Sequence, residues 1–567
     1  MKKNEYPNPQ FFRENTEFLN GVWSLYVPRE FGEERYEIVV PFCVESELSR
    51  VAIREKITRC RYERKFVVEN LLKTERLVLH FGAVDYQAKV FINNRFVGIH
   101  RGGFTPFSFE ITEFVGRGEN LLTVEVYDNI VDNVPSGKQC SEEQSHGCFY
   151  TRVTGIWQSV WLERTPKEYI KSVKFVANIK EKSVFVSLEA SALGEVRMTV
   201  AYNGRIVGKY VGELVYKGKI QISLSELHLW APGKGELYDV TIRFGEDEVQ
   251  SYFGMREVAY SGYRFLVNGK SVFQRFVLDQ GYYPRGIYTA ENDEELERDI
   301  RLAMELGFNG ARLHQKVFDP RFLYHCDRLG YMVWGEFPSW GCVYDSLECL
   351  GPLVGEWAAV VDRDFNHPSI VVWCPLNEVW GDLGDMRKGR DVRLVESLYA
   401  VTKQLDPTRP CVDVSGGYHG TRTDVFDFHC YHNSEALKEY LRALVEEDKL
   451  TMDKTYAENE DIRYPVGVPV CASEYGGMAY SIKKGGWGYR VSTDERAFAD
   501  EYVELTSLLL SCPKISGFCY TQLYDVEQEQ NGLYTYQRTR KFSEEVLRRI
   551  TECNRQTAAV EKDVENI

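Results

Sequence analysis

Up to about residue 165, apolar and polar positions alternate in short runs. Arg76-Leu77-Val78-Leu79-His80-Phe81, Ala88-Lys89-Val90-Phe91-Ile92 and Leu121-Leu122-Thr123-Val124-Glu125-Val126 are of this kind, with Asn93-Asn94 and Gly102-Gly103 as turn signals. A period of two marks half-buried strands. It predicts an all-β domain over 1–165, a β-sandwich with a jelly-roll-like path. Residues 166–256 repeat the theme in shorter form, as in Val184-Phe185-Val186-Ser187-Leu188 and Val196-Arg197-Met198-Thr199-Val200. That length suits an immunoglobulin-like sandwich, with Trp230-Ala231-Pro232-Gly233 as a late turn.

From 257 onward the texture changes. Apolar runs at 272–278, 309–313, 332–335, 370–374, 411–414, 426–430, 468–472 and 515–520 read as strands, with helical patterns between most of them. In the first helical pattern, Asn292-Asp293-Glu294-Glu295 supplies a capping pair. Leu296, Ile300, Ala303 and Met304 then fall on one face, and Gly307 can end the helix. Continuous apolar runs alternating with helices indicate a parallel sheet. Eight of them over the span 257–567 fit a (β/α)₈ barrel better than an open sheet.

A chain of 567 residues needs more than one core. Its net charge of −15 and lack of a dense Lys/Arg tract argue against a nucleic-acid partner. No apolar run approaches the roughly 18 residues of a membrane span. No apolar stretch follows the two lysines at the start, so a cytoplasmic location is expected. The 14 cysteines are irregularly spaced, many inside apolar runs, as reduced core thiols would be. Cys140, His146 and Cys148 lack a convincing fourth metal ligand, and no strand is followed by a phosphate-binding loop. Neither a metal nor a cofactor is therefore expected.

Two carboxylates draw attention. Glu378 follows Asn377 just beyond the run Ile370-Val371-Val372-Trp373-Cys374, and Glu474 follows Val468-Pro469-Val470-Cys471-Ala472-Ser473. At the C-terminal ends of two barrel strands they would face one pocket. A facing carboxyl pair is what cleavage of a glycosidic bond requires. Isolated glutamates are usually surface or ion-paired residues; the strand-end context sets these two apart.

The order of segments resembles the family-two glycoside hydrolases, which include β-galactosidases, β-glucuronidases and β-mannosidases. The resemblance spans nearly the whole chain. Its anchors are Gly155-Ile156-Trp157-Gln158-Ser159-Val160-Trp161-Leu162, Leu229-Trp230-Ala231-Pro232, Phe265-Leu266-Val267-Asn268-Gly269-Lys270, Gly307-Phe308-Asn309-Gly310-Ala311-Arg312-Leu313-His314, Asn366-His367-Pro368-Ser369, Asn377-Glu378 and Ser473-Glu474-Tyr475-Gly476. It implies sandwich, immunoglobulin-like domain, then TIM barrel, and an exo-acting retaining β-glycosidase. It makes Glu378 the acid/base, Glu474 the nucleophile and Asn377 the contact to the sugar 2-hydroxyl. Arg312 and Tyr431 are then placed to bond the nucleophile, Asp279 to hold sugar hydroxyls, and His314 and Trp340 to line the pocket. Glu336, a third strand-end carboxylate, ranks as a supporting residue.

The chain departs from the family's β-glucuronidases at one place. Their Asn-x-Lys pair, which reads the sugar carboxylate, is replaced by Glu529-Gln530-Asn531 before Gly532-Leu533-Tyr534-Thr535. An acidic residue there would repel an anionic sugar. The expectation is a neutral glycone, galactoside first; the alternative is another β-hexosidase of the family, or a β-glucuronidase if Arg538, Arg540 or Lys541 reaches the sugar carboxylate. A non-catalytic carbohydrate-binding protein is the rival from another class. The substrate partner is a carbohydrate or glycoside; a homo-oligomer is left open, and so is whether the first sandwich forms a subunit contact or walls the pocket.

Overall fold

A computed structural model describes residues 6–130, 133–379, 381–382, 388–389, 391–452, 463–480, 483 and 485–562. The first sandwich pairs a four-stranded sheet (Thr16–Phe18, Val160–Pro166, Glu75–Phe81, Phe107–Glu110) with a six-stranded one (Gly32–Val40, Gly21–Arg29, Arg59–Val68, Gly118–Tyr127, Gln87–Ile92, Arg95–Arg101). Trp23, Tyr62, Leu79, Phe81 and Val124 fill the space between. The alternating runs seen in the sequence are strands here, and every second residue (Leu77, Leu79 and Phe81; Ala88, Val90 and Ile92; Leu122, Val124 and Val126) enters the core, while Val78, Phe91 and Leu121 stay half-buried on the other face. Asn93 and Asn94 take φ of 51° and 64° between Gln87–Ile92 and Arg95–Arg101, the left-handed pair that a tight hairpin needs.

In the second sandwich, Val184–Leu188 and Val196–Val200 prove to be halves of one long strand, Ser183–Tyr202. Its first half pairs with Ile170–Asn178 and its second with Tyr238–Phe244. Its pairing with Arg205–Ser223 shifts register between Glu189 and Leu193, so one strand can serve both pairings.

The barrel sheet runs Ile370–Cys374, Met332–Glu336, Gly310–Leu313, Gln274–Asp279, Ile515–Thr521, Val470–Gly476, Phe426–Cys430, with every adjacent pair parallel. Nearly all residues of these strands are buried, which is why they read as continuous apolar runs. Two expectations need correction. Residues 411–414 are not a regular strand: Cys411 makes a single bridge to Trp373 on the fourth strand, and Ser415 one to Asn377 just beyond it. The side chains of Ser415 and His419 bond Asp427 on the sixth strand, where a ladder would otherwise run. The seventh strand starts at Val470 and runs to Gly476, so Glu474 lies within it and not beyond its end.

The helix Asp293–Glu305 is capped by Asn292, whose side chain accepts from the Glu295 N–H. The reciprocal bond is displaced by one residue, because Glu295 accepts from the Glu291 N–H and not from Asn292. Gly307, at φ 84°, ends the helix as its sequence position suggested.

The loop of the first sandwich that passes through residues 133–154 crosses to the mouth of the barrel. Ser136 N–H and Gly137 N–H donate to the Trp340 carbonyl at 2.7 and 3.1 Å, and Val343 N–H donates to Asn133 at 2.6 Å. Gly137 sits at φ 62°, and a Cβ there would come within 2.3 Å of the Gln315 carbonyl oxygen. The close docking needs glycine at that point. Among the described residues no helix is long and apolar enough to cross a membrane, and all 14 cysteines are free thiols.

Candidate active site

Arg312, on the second barrel strand and fully buried, organises the site. Its Nε donates to Glu336 at 2.5 Å, Nη1 to Glu474 Oε1 at 2.8 Å, and Nη2 to Asn377 Oδ1 at 2.5 Å. Burial works against a buried guanidinium, but Glu336 and Glu474 outweigh it and hold Arg312 protonated. Glu336 also accepts from the Gln315 N–H at 3.0 Å, so its oxygens are spent on structure. It is placed as a support for Arg312.

Glu474 takes its other bond from the Tyr431 hydroxyl, which reaches Oε2. The Tyr431 ring stacks on Tyr489 with centroids 3.5 Å apart, and Trp487 packs edge-on against Tyr489. Burial, and then the Glu474 charge, push the Tyr431 hydroxyl well above its ordinary pKa, so it stays a donor. Two donors, a guanidinium and a phenol, thus fix the direction in which this carboxylate points.

Glu378 comes from the turn after the fourth strand and sits at φ 50°, a conformation a glutamate adopts only when its surroundings demand it. The Glu378 N–H donates to the Ser415 carbonyl at 2.8 Å, and Trp340 Nε1 donates to the neighbouring Asn377 carbonyl at 3.1 Å. The irregular fifth segment thus fixes the backbone of Glu378. Asn377 has its Oδ1 taken by Arg312, while its buried Nδ2 has no partner among the described residues. An amide N–H₂ in that state is ready to donate to a ligand hydroxyl.

His429, one turn of the pleat before Tyr431, lies between the two glutamates. Its Nδ1 is 3.0 Å from Glu378 Oε1 and its Nε2 is 3.4 Å from Glu474 Oε1. One oxygen of each glutamate and a His429 nitrogen all lie within 4.8 Å of one another. With Arg312 already bonded to Glu474, the trio reads as ion pairing and not as coordination of a cation.

The rim is built from both ends of the chain. Trp340 lies 5.5 Å from Phe149 and 6.5 Å, edge-on, from His314 (ring centroids). Burial, then Lys138 and Arg312, push the His314 ring well below its ordinary pKa, so it is neutral. Lys138, from the sandwich loop, is 5% exposed and lies 5.6 Å from the centroids of both Tyr150 and Trp340. Tyr150 donates to Glu529 at 2.5 Å, and Asn531 donates to the same carboxylate at 3.1 Å. The sandwich loop therefore packs against Trp340 and Glu529 at the C-terminal face of the barrel.

Asp279, Arg538, Lys541 and Cys140 are each held by neighbouring groups. Asp279 Oδ1 accepts from the Gly281 N–H at 2.9 Å and from the Tyr524 hydroxyl at 2.5 Å. Burial, and then Asp299, push it up to about 6. Its bonds are internal to the barrel. Arg538 is held by Asp299 and the Tyr282 carbonyl, and Lys541 by Asp525, so neither is released toward a ligand. Cys140 interacts with the Gln144 carbonyl and the Glu142 N–H. Sequence reasoning missed His429 and Lys138. The first was readable only as two residues before Tyr431, on the same strand face. The second sits in a loop with no pattern.

Three stretches match family models: residues 16–166 "Glycosyl hydrolases family 2, sugar binding domain", 153–256 "Glycosyl hydrolases family 2" and 258–486 "Glycosyl hydrolases family 2, TIM barrel domain". A β-galactosidase of Thermoanaerobacter pseudethanolicus is 27% identical over 63% of this chain and 50% of its own length. A β-glucuronidase of Streptococcus agalactiae is 26% identical over 64% of this chain and 66% of its own. The chain spans about half the length of the first of these relatives. The solved β-glucuronidase of an uncultured Clostridium sp. superposes with a TM-score of 0.78 at 22% identity, covering 96% of this chain and 98% of that one. A β-galacturonidase of Eisenbergiella tayi gives 0.76 at 18%, with 96% and 98% covered. At such identities the likeness is one of fold.

Proposed function

Because the chain belongs to glycosyl hydrolase family 2, we propose that it is an exo-acting retaining β-glycosidase, with Glu474 as nucleophile and Glu378 as acid/base. The observation that carries this reading is a separation. An oxygen of Glu378 and one of Glu474 lie within 4.8 Å of each other. Retaining enzymes hold their carboxyls about 5 Å apart, whereas inverting ones leave about 6.5–9.5 Å for a water. In the first step Glu378 gives its proton to the leaving oxygen as Glu474 attacks the anomeric carbon. In the second, Glu378 takes a proton from water, which releases the sugar from Glu474. The unequal surroundings support this division: Glu474 is gripped by Arg312 and Tyr431, while Glu378 faces a neutral or protonated imidazole. Asn377 Nδ2 would donate to the sugar 2-hydroxyl as charge develops at the anomeric centre.

For the glycone, a neutral hexoside, galactoside first, is favoured by the buried Glu529, which can accept from sugar hydroxyls and repels a carboxylate. One observation favours a uronide instead: the Lys138 ammonium, nearly buried, makes no hydrogen bond or ion pair among the described residues. A panel of nitrophenyl β-glycosides differing in the sugar tests both readings. Turnover of none of them, with the sugar bound, would instead indicate a non-catalytic binding protein.

A further inference from the structure

The site contains a third titrating side chain that the double-displacement reading leaves unused. His429 reaches Glu378 Oε1 through Nδ1 at 3.0 Å. Its Nε2 lies 3.2 Å from Ser415 Oγ, 3.4 Å from Glu474 Oε1 and 3.3 Å from Arg312 Nη1. Ser415 directs its hydroxyl to Asp427 at 2.7 Å or Ser473 at 3.1 Å, which leaves oxygen lone pairs to accept from His429. Arg312 Nη1 has Glu474 Oε1 and the Ser473 carbonyl as acceptors. The acceptors around Nε2 thus assign it a fixed proton. The remaining exchangeable proton lies on the Nδ1–Oε1 line.

The ring cannot easily move out of this position. A Cβ on Gly416, at φ 63°, would come within 2.2–2.3 Å of the His429 ring, so glycine makes room for it. The charged and titratable groups facing it are Glu378 after the fourth strand, Arg312 on the second, Glu474 on the seventh, and Asp427 on its own strand. His314 senses it more weakly.

From this juxtaposition we infer that His429 is a positioning residue that shares one proton with Glu378, and that the leaving group is protonated from this pair. The inference rests on the glycosidase reading for its consequence but not for its geometry. In one state the proton sits on Oε1 and Nδ1 accepts; in the other Nδ1–H donates to a carboxylate. The two states carry the same number of protons. The alkaline limb of kcat/KM therefore reports loss of the last proton from the pair, and its apparent pKa belongs to neither residue alone. Burial disfavours the imidazolium, but Glu474 and Glu378 outweigh it, and His429 is raised from its ordinary value. The pair then keeps its proton to higher pH than an isolated Glu378 would.

Two measurements test this. In histidine-labelled protein, ¹⁵N NMR follows the titration of the His429 ring in the wild type and in Glu378→Gln. Sharing predicts a fall of at least about one pH unit on removing the carboxylate; an unchanged midpoint overturns the inference whether or not the protein is a glycosidase. In the second, pH profiles of kcat/KM are compared for the wild type and His429→Gln on the best nitrophenyl glycoside and on a poorer leaving group. The alkaline limb should move to lower pH by at least about one unit, and the loss should be greater for the poorer leaving group. Superimposable limbs with one uniform loss would mean that His429 is only structural.

Discussion

Arg312 Nη1 donates to Glu474 Oε1 at 2.8 Å while Nη2 of the same guanidinium donates to Asn377 Oδ1 at 2.5 Å. One rigid fork therefore sets the position of the proposed nucleophile relative to the amide proposed to hold the 2-hydroxyl. A third arm ties it to Glu336, which Gln315 anchors in turn. An ammonium on a flexible stem cannot serve three planar acceptors at once.

Arg312→Lys is accordingly expected to lower kcat by about 10²–10³-fold, even for nitrophenyl leaving groups, as loss of an organising donor does elsewhere. Steady-state kinetics with circular dichroism as a folding control check it. A loss below about tenfold would show that Glu474 is held well enough by Tyr431 alone.

The two glutamates should fail differently. Glu474→Ala removes the proposed nucleophile and should abolish turnover for every leaving group. Glu378→Ala should keep glycosylation of substrates with good leaving groups, and added azide should speed its turnover to a β-glycosyl azide. Azide rescue of Glu474→Ala to a β-product, with none for Glu378→Ala, would reverse the roles.

The seam between the first sandwich and the barrel holds buried carboxyls whose protonation sets a pH limit on stability. Glu356 accepts from the Tyr86 hydroxyl at 2.7 Å, and burial pushes its pKa up to about 8. Its folded value lies above its unfolded one, so the native state binds the extra proton. That contribution is full below about pH 4 and is lost as pH rises toward 8. Glu356→Gln keeps an acceptor for Tyr86 and cannot ionise. It should match the wild type at pH 4 and exceed it by about 1–3 kcal/mol at pH 9 in chemical unfolding. Equal stability of the two proteins at pH 9 would rule out a buried charge at this seam.

How much of this was legible beforehand depends on the kind of signal. The barrel strands were readable because both faces are buried, which writes continuous apolar runs such as Ile370–Cys374 into the chain. Glu378 and Glu474 stood out because each follows such a run. The fifth barrel position was misread, since Cys411-Val412-Asp413-Val414 has strand composition but gives up its ladder to side-chain bonds from Ser415 and His419. Those bonds depend on Asp427, a partner that no local pattern reveals. Lys138 was invisible for a similar reason. It sits on a loop that crosses from one domain to another, and loops carry no periodicity. His429 needed the register of its strand, which places it beside the two glutamates once Tyr431 is known to face Glu474.

On the proposed glycosidase reading, Glu529 and Lys138 pull the choice of glycone in opposite directions. Glu529 is 1% exposed and holds Tyr150 and Asn531; Lys138 is 5% exposed and faces the rings of Tyr150 and Trp340. A uronate carboxylate beside Glu529 is unfavourable by several kcal/mol unless Lys138 pairs with it. Arg538 and Lys541 cannot substitute, because Asp299 and Asp525 hold them. With Glu529 dominant, kcat/KM for nitrophenyl β-galactoside should exceed that for the β-glucuronide by at least about 10²-fold. Lys138→Met, which keeps the packing volume, should then cost the galactoside less than about tenfold. The reverse pattern, a glucuronide preference that Lys138→Met removes while sparing the galactoside, would show that the ammonium from the sandwich, and not Glu529, selects the sugar.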